Sequence, residues 1–110
     1  MDDFESLLTG YRAFRAGRYA EQVALYRELA RGQRPRVLVI GCSASRVDPM
    51  TIFNARPGEL FIIRNVAALV PPCEPDGHFH GTSAALEFAV TGLEVSTIVV
   101  LGHAQCGGIQ

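Results

Sequence analysis

The chain has 110 residues, 48% of them apolar, and a formal net charge of −1 at neutral pH. That length allows one domain at most, that apolar content argues for a packed core and against disorder, and the balanced charge gives no general pull toward nucleic acid or an anionic membrane. The opening "MDDFESLLTG" is acidic and lacks the apolar centre of a signal peptide, and no apolar run reaches the length of a bilayer span. The expected location is therefore the cytoplasm, where thiols stay reduced.

Residues 4–16 place Phe4, Leu7, Leu8, Tyr11 and Phe14 at helical spacing. Gly17 interrupts, and residues 19–30 resume the stripe with Tyr19, Val23, Tyr26 and Ala30. Two consecutive amphipathic helices are predicted, forming an amino-terminal arm over residues 1–34. Their apolar stripe packs either on the chain's own sheet or on a partner subunit, and the pattern does not choose between them. Basic residues within 12–36 are interrupted by Glu21 and Glu28, which reads as a solvated helix face rather than a polyanion site.

An α/β core is predicted over residues 35–110. "RVLVIGC" is a continuous apolar run, the pattern of a parallel strand covered on both faces. "VDPM" supplies Asp48 as N-cap and Pro49 at the first helical position, so a short helix should run to Ala55. "LFIIRNV" reads as a second buried strand, and "VPPCEPDGHFHG" as a loop. "TSAALEFAVTGL" is a helix, and "STIVVLG" a third buried strand. Strands alternating with helices imply a parallel sheet with flanking helices, and such sheets gather functional groups at the carboxyl ends of their strands.

That rule brings chemistry to one point. The first strand ends at Cys42; the third ends at His103, with Cys106 three residues on. If these strands are neighbours, two thiols and one imidazole converge, a donor set that suits tetrahedral zinc. Three protein ligands leave a fourth position for water, the mark of a catalytic rather than a structural site. The competing reading is that Cys42 and Cys106 are plain buried hydrophobes. An odd count of three cysteines fits a metal or catalytic role better than a disulfide framework. Cys73, in the Pro-rich loop, reads as an incidental thiol. His80 as a fourth ligand would close the site and make it structural. A cysteine-nucleophile phosphatase would want an arginine six residues after the cysteine, whereas Arg46 comes four after Cys42 and the sixth residue is the acid Asp48.

At this point the chain resembles the β-class carbonic anhydrases, and specifically their bacterial branch. Where the family has Cys-x-Asp-x-Arg this chain has "CSASR", and where it has His-x-x-Cys this chain has "HAQC". The intervening "RVDPMTIFNARPGELFIIRNVAALVPP" and "HGTSAALEFAVTGLEVSTIVVLGHAQCGGI" follow the family nearly without a gap. The resemblance implies a zinc ion on Cys42, His103 and Cys106, and zinc-bound hydroxide that reversibly hydrates carbon dioxide to bicarbonate. It also implies a substrate pocket walled near Gly107 and a homodimer or larger homo-oligomer whose partner completes that wall.

Three departures qualify these expectations. The family's motif aspartate, which accepts a hydrogen bond from the zinc-bound water and is held by the arginine, is here Ala44, leaving Arg46 to find water, backbone or an anion. The resemblance places the catalytic pair at Arg46 and Ala44, so an impaired enzyme is expected. The alternatives are a zinc-binding but inactive scaffold, natural or engineered, and a carbon disulfide or carbonyl sulfide hydrolase. The family subunit continues well past Gln110, so this chain is expected to be incomplete relative to it. Val39 stands where some bacterial members carry a tryptophan of a bicarbonate-regulated site, so that regulation is not expected.

Overall fold

A computed structural model describes residues 2–72 and 81–109. "RVLVIGC" forms β1 (Val37–Cys42), the middle strand of a three-stranded sheet ordered β2-β1-β3, where β2 is Leu60–Asn65 and β3 is Thr97–Leu101. Both neighbours run parallel to β1, with Gly41 opposite Arg64 on one side and Leu101 on the other. β1 is apolar throughout and the most deeply buried of the three strands; Leu38, Val39 and Ile40 are fully buried.

The outer strands depart from expectation. The sequence predicts β2 and β3 as buried, yet Ile63 is the one buried residue of β2, and Ile98 and Val100 of β3 are about half exposed (49% and 56%). The reason is uneven cover. The helix α4 (Gly81–Glu87) continues as a π-helical turn (Phe88–Gly92) and sets Ala85, Leu86 and Ala89 against Leu38, Ile40, Phe61 and Ile63. Phe61 and Phe88 pack with ring centroids 5.6 Å apart. This cover serves β1 and β2 and leaves the matching residues of β3 bare.

After β1 the short helix α3 (Pro49–Ile52) begins with Pro49 at its first turn, as its missing N–H allows. Asp48 stands at the N-cap position, but its carboxylate accepts the Thr51 hydroxyl at 2.8 Å rather than a backbone amide. The helix stops at Ile52 and the chain turns through Asn54, whose φ is +48°.

The chain divides into two compact units, Met1–Gly32 and Gln33–Gln110. In the first, α1 (Asp3–Phe14) starts on Asp2, whose carboxylate accepts the Glu5 amide at 2.7 Å. Gly17 does not end the helix, contrary to expectation. A π-helical turn, Arg15–Tyr19, carries the chain onward, and α2 (Val23–Arg31) follows after a break at Gln22. A lone glycine in a helix costs only about 1 kcal/mol relative to alanine. Here Phe14, Tyr19 and Tyr26 pack on one another across the turn, with centroids 5.3–6.0 Å apart, and offset that cost. Phe4, Leu7 and Tyr11 form a stripe more than half exposed. No helix among the described residues is long and apolar enough to cross a membrane.

Candidate metal centre

Because β1 and β3 are adjacent and parallel, their carboxyl ends lie side by side. Cys42 closes β1; His103 follows β3 by two residues, and Cys106 comes a turn later. The ligand atoms of these three residues all lie within 4.8 Å of one another. Both sulfurs are buried and free, with their Sγ atoms 3.9 Å apart. Two zinc–sulfur bonds of about 2.3 Å at a tetrahedral angle require a separation of about 3.8 Å, so the pair is already spaced for the metal.

His103 supplies a second test of fit. Its Nδ1 lies 2.8 Å from the Ala104 carbonyl oxygen, which can only accept, so Nδ1 carries the proton. Nε2 is then a bare lone pair. It is buried and has no hydrogen-bond partner. An orphaned buried nitrogen facing two thiols is what a metal would satisfy.

The local electrostatics favour thiolate at Cys42. Its pKa falls from the ordinary 9.0 to about 6, chiefly through the Ala44 amide, with the Ala67 amide and Cys106 adding to the shift, while burial opposes it. The Ala67 N–H donates to Cys42 Sγ at 3.3 Å. That amide is aimed by an unusual turn in which Ala67 and Ala68 both have positive φ (+72° and +51°). Left-handed alanine costs roughly 1–2 kcal/mol per residue, and the surroundings hold it in place. Asn65 brackets the turn, accepting the Leu69 amide at 2.6 Å and donating to the Leu69 carbonyl at 2.9 Å. Gly108 packs against it so closely that a Cβ there would stand 2.4 Å from Val66 Cγ1.

Ala44 packs against the cluster of Cys42, Val47 and Cys106, and its methyl side chain offers no acceptor. Arg46 instead donates from Nη2 to the Gln105 carbonyl oxygen at 2.7 Å, the backbone option among those left open by the sequence. Cys42, Ala44, Arg46, His103, Cys106 and Gly107 all line one cavity of about 470 Å³, together with Ser43, Val66, Gln105 and Gly108. Cys73 and His80 lie outside the described residues. Arg64 escaped the sequence reading: its Nε and Nη2 donate to the Cys42 and Ala44 carbonyls at 2.8 and 2.7 Å. The available signal was a charge at the carboxyl end of an otherwise apolar parallel strand.

The comparisons with known proteins agree with this geometry. The family profile described as "Carbonic anhydrase" matches residues 37–110, more than half of the chain. Beta carbonic anhydrase 3 of Arabidopsis thaliana is 42% identical over 110 residues, covering 100% of this chain and 42% of that protein. The solved β-carbonic anhydrase CcaA superposes with a TM-score of 0.87 at 40% identity, covering 94% of this chain and 46% of its own. One of two tetrameric β-carbonic anhydrases from the filamentous ascomycete Sordaria macrospora gives 0.81 at 36% identity, covering 94% and 50%. The chain belongs to the carbonic anhydrase family, in its β class. It spans less than half the length of the curated relatives it matches.

Proposed function

We propose that this chain carries the zinc centre of a carbonate dehydratase, a lyase that reversibly hydrates carbon dioxide to bicarbonate, and that Ala44 weakens its turnover. The observation that carries the reading is the convergence of Cys42 Sγ, Cys106 Sγ and the partnerless His103 Nε2. Cys42, His103 and Cys106 would hold the ion. When bound there, zinc supplies Lewis acidity that makes a coordinated water nucleophilic near neutral pH.

The chain's own residues do the rest. Two thiolates temper the charge of the metal, so nearby groups that orient water matter more than beside three neutral imidazoles. Ala44 can neither accept a hydrogen bond from that water nor hold Arg46. Arg46 is spent on the Gln105 carbonyl, which ties the loop after β1 to the loop after β3. Ala44, Val66 and the glycines at 107 and 108 give the cavity apolar and backbone walls, suited to a small uncharged substrate.

Within the β class we propose the bacterial branch, as the resemblance of the motifs implies. A homodimer or larger homo-oligomer is supported by the exposed stripe of Phe4, Leu7 and Tyr11 and the bare apolar residues of β3. Two free thiols as sulfur donors require a reducing compartment, and the cytoplasm is our choice.

One rival reading is specifically favoured by Ala44: a scaffold that binds zinc without turnover. Stopped-flow hydration of carbon dioxide on zinc-loaded protein separates the two. A slow rate above buffer, absent in Cys106→Ser, supports the enzyme. Stoichiometric zinc with no rate above buffer supports the scaffold. Protein that takes up no zinc defeats both.

A further inference from the structure

Arg64 stands at the carboxyl end of β2, and all three arms of its guanidinium reach the segment that leaves β1. Nε donates to the Cys42 carbonyl at 2.8 Å, Nη2 to the Ala44 carbonyl at 2.7 Å, and Nη1 lies 3.7 Å from Asp48 Oδ1. Across the strands its Cα is paired with Gly41, which puts no side chain in the way. Beyond Cys42 the backbone has few other ties. The Ser43 amide reaches Asn65 at 2.9 Å, and the Val47 amide reaches Ala44 at 3.3 Å. The Ala44 carbonyl thus accepts twice, from the Val47 amide and from Arg64, while the Cys42 carbonyl accepts from Arg64 Nε.

We propose that Arg64 is a positioning residue for the metal centre: it clamps residues 42–44 so that Cys42 Sγ stays within ligand distance of His103 and Cys106. This rests on the reading that those three residues hold zinc. The clamp depends on geometry as much as on charge. A guanidinium presents its donors in a rigid planar fork, so one side chain bonds two carbonyls at once, and bonds from a charged donor are the stronger kind. An ammonium is a point charge and cannot span both. Asp48, nearly half exposed, steadies the far arm of the fork and contributes little by itself.

The test compares the wild-type chain with Arg64→Met, Arg64→Lys and Asp48→Asn. Zinc affinity is read by competition with a chromogenic chelator, and donor geometry by the thiolate-to-metal charge-transfer and d–d bands of the cobalt(II) form. Arg64→Met should bind zinc about 10–100-fold more weakly, the usual loss when a group supporting a ligand is removed, with broadened cobalt bands. Arg64→Lys should recover only part of that loss, and Asp48→Asn should match wild type. Should Arg64→Met fail to fold, Arg64→Lys decides: wild-type affinity and bands there overturn the proposal. Wild type that binds zinc tightly while Arg64→Met binds it equally well also overturns it, with the zinc reading intact. Wild type that binds no zinc overturns both.

Discussion

Arg46 donates from Nη2 to the carbonyl oxygen of Gln105 at 2.7 Å, joining two residues 59 positions apart in the chain. Gln105 sits between His103 and Cys106 with φ of +57°, so its carbonyl is presented by a left-handed turn of the loop that carries two of the candidate ligands. The bond therefore links the Cys42 side of the centre to the His103–Cys106 side. Ala44 gives this arginine no carboxylate, and it holds the opposite loop.

A carboxylate at position 44 should raise turnover. Ala44→Asp is expected to raise carbon dioxide hydration by about 10–100-fold at unchanged zinc content, the scale of a lost group beside a metal ligand. Stopped-flow rates across pH on the two zinc-loaded forms make the comparison. Equal rates would mean that the carboxylate is dispensable.

The cysteines should divide by position. Cys106→Ser and Cys42→Ser should each lose stoichiometric zinc by metal analysis, because each removes a buried sulfur from a pair already 3.9 Å apart. Cys73→Ser should keep it. Zinc retained in both Cys42→Ser and Cys106→Ser would remove these residues from the ligand set.

Neighbouring glycines should behave differently. A Cβ at Gly108 would meet Val66 Cγ1 at 2.4 Å and Ala67 Cβ at 3.1 Å, in the turn whose amide donates to Cys42. Gly108→Ala should lower stability by about 1–3 kcal/mol, as overpacking does, and weaken zinc binding with it. At Gly107 a Cβ meets nothing within 4 Å. Gly107→Ala should keep the fold and the metal and act only on the cavity wall. Denaturant midpoints and zinc titrations of the two variants check this, and equal effects would count against the turn's role.

The thiol of Cys42 sets a pH dependence for the metal-free protein. Its folded pKa of about 6 lies below the ordinary 9.0. Between those values the unfolded chain holds a proton that the folded chain has released, so stability rises with pH across that window. The contribution is fully present above pH 9 and is lost as pH falls through 6. Chemical denaturation at several pH values should show this rise in wild type and its loss in Cys42→Ser. A flat profile in wild type would show that Cys42 titrates normally.

How far the sequence could be read follows from the kind of signal each feature leaves. β1 was legible because a strand buried on both faces is apolar at every position, and the convergence of Cys42 with His103 and Cys106 followed from the rule for parallel strand ends. The half-exposed state of Ile98 and Val100 was not legible, since apolar residues look alike whether or not a helix covers them. Gly17 misled because glycine weakens a helix without breaking it, and the aromatic contacts of Phe14, Tyr19 and Tyr26 that bridge it lie in three dimensions. Arg64 and Arg46 act on backbone carbonyls, and carbonyl partners leave no mark in side-chain spacing.

On the proposed reading, two sulfurs and one imidazole of this chain hold a zinc ion with room for one further ligand. X-ray absorption at the zinc edge of the metal-loaded protein tests it most directly. Two sulfur scatterers at about 2.3 Å and two nitrogen or oxygen scatterers at about 2.0–2.1 Å are expected, one of the latter with the outer-shell pattern of imidazole. A shell of nitrogen and oxygen alone, or of three or four sulfurs, would contradict it.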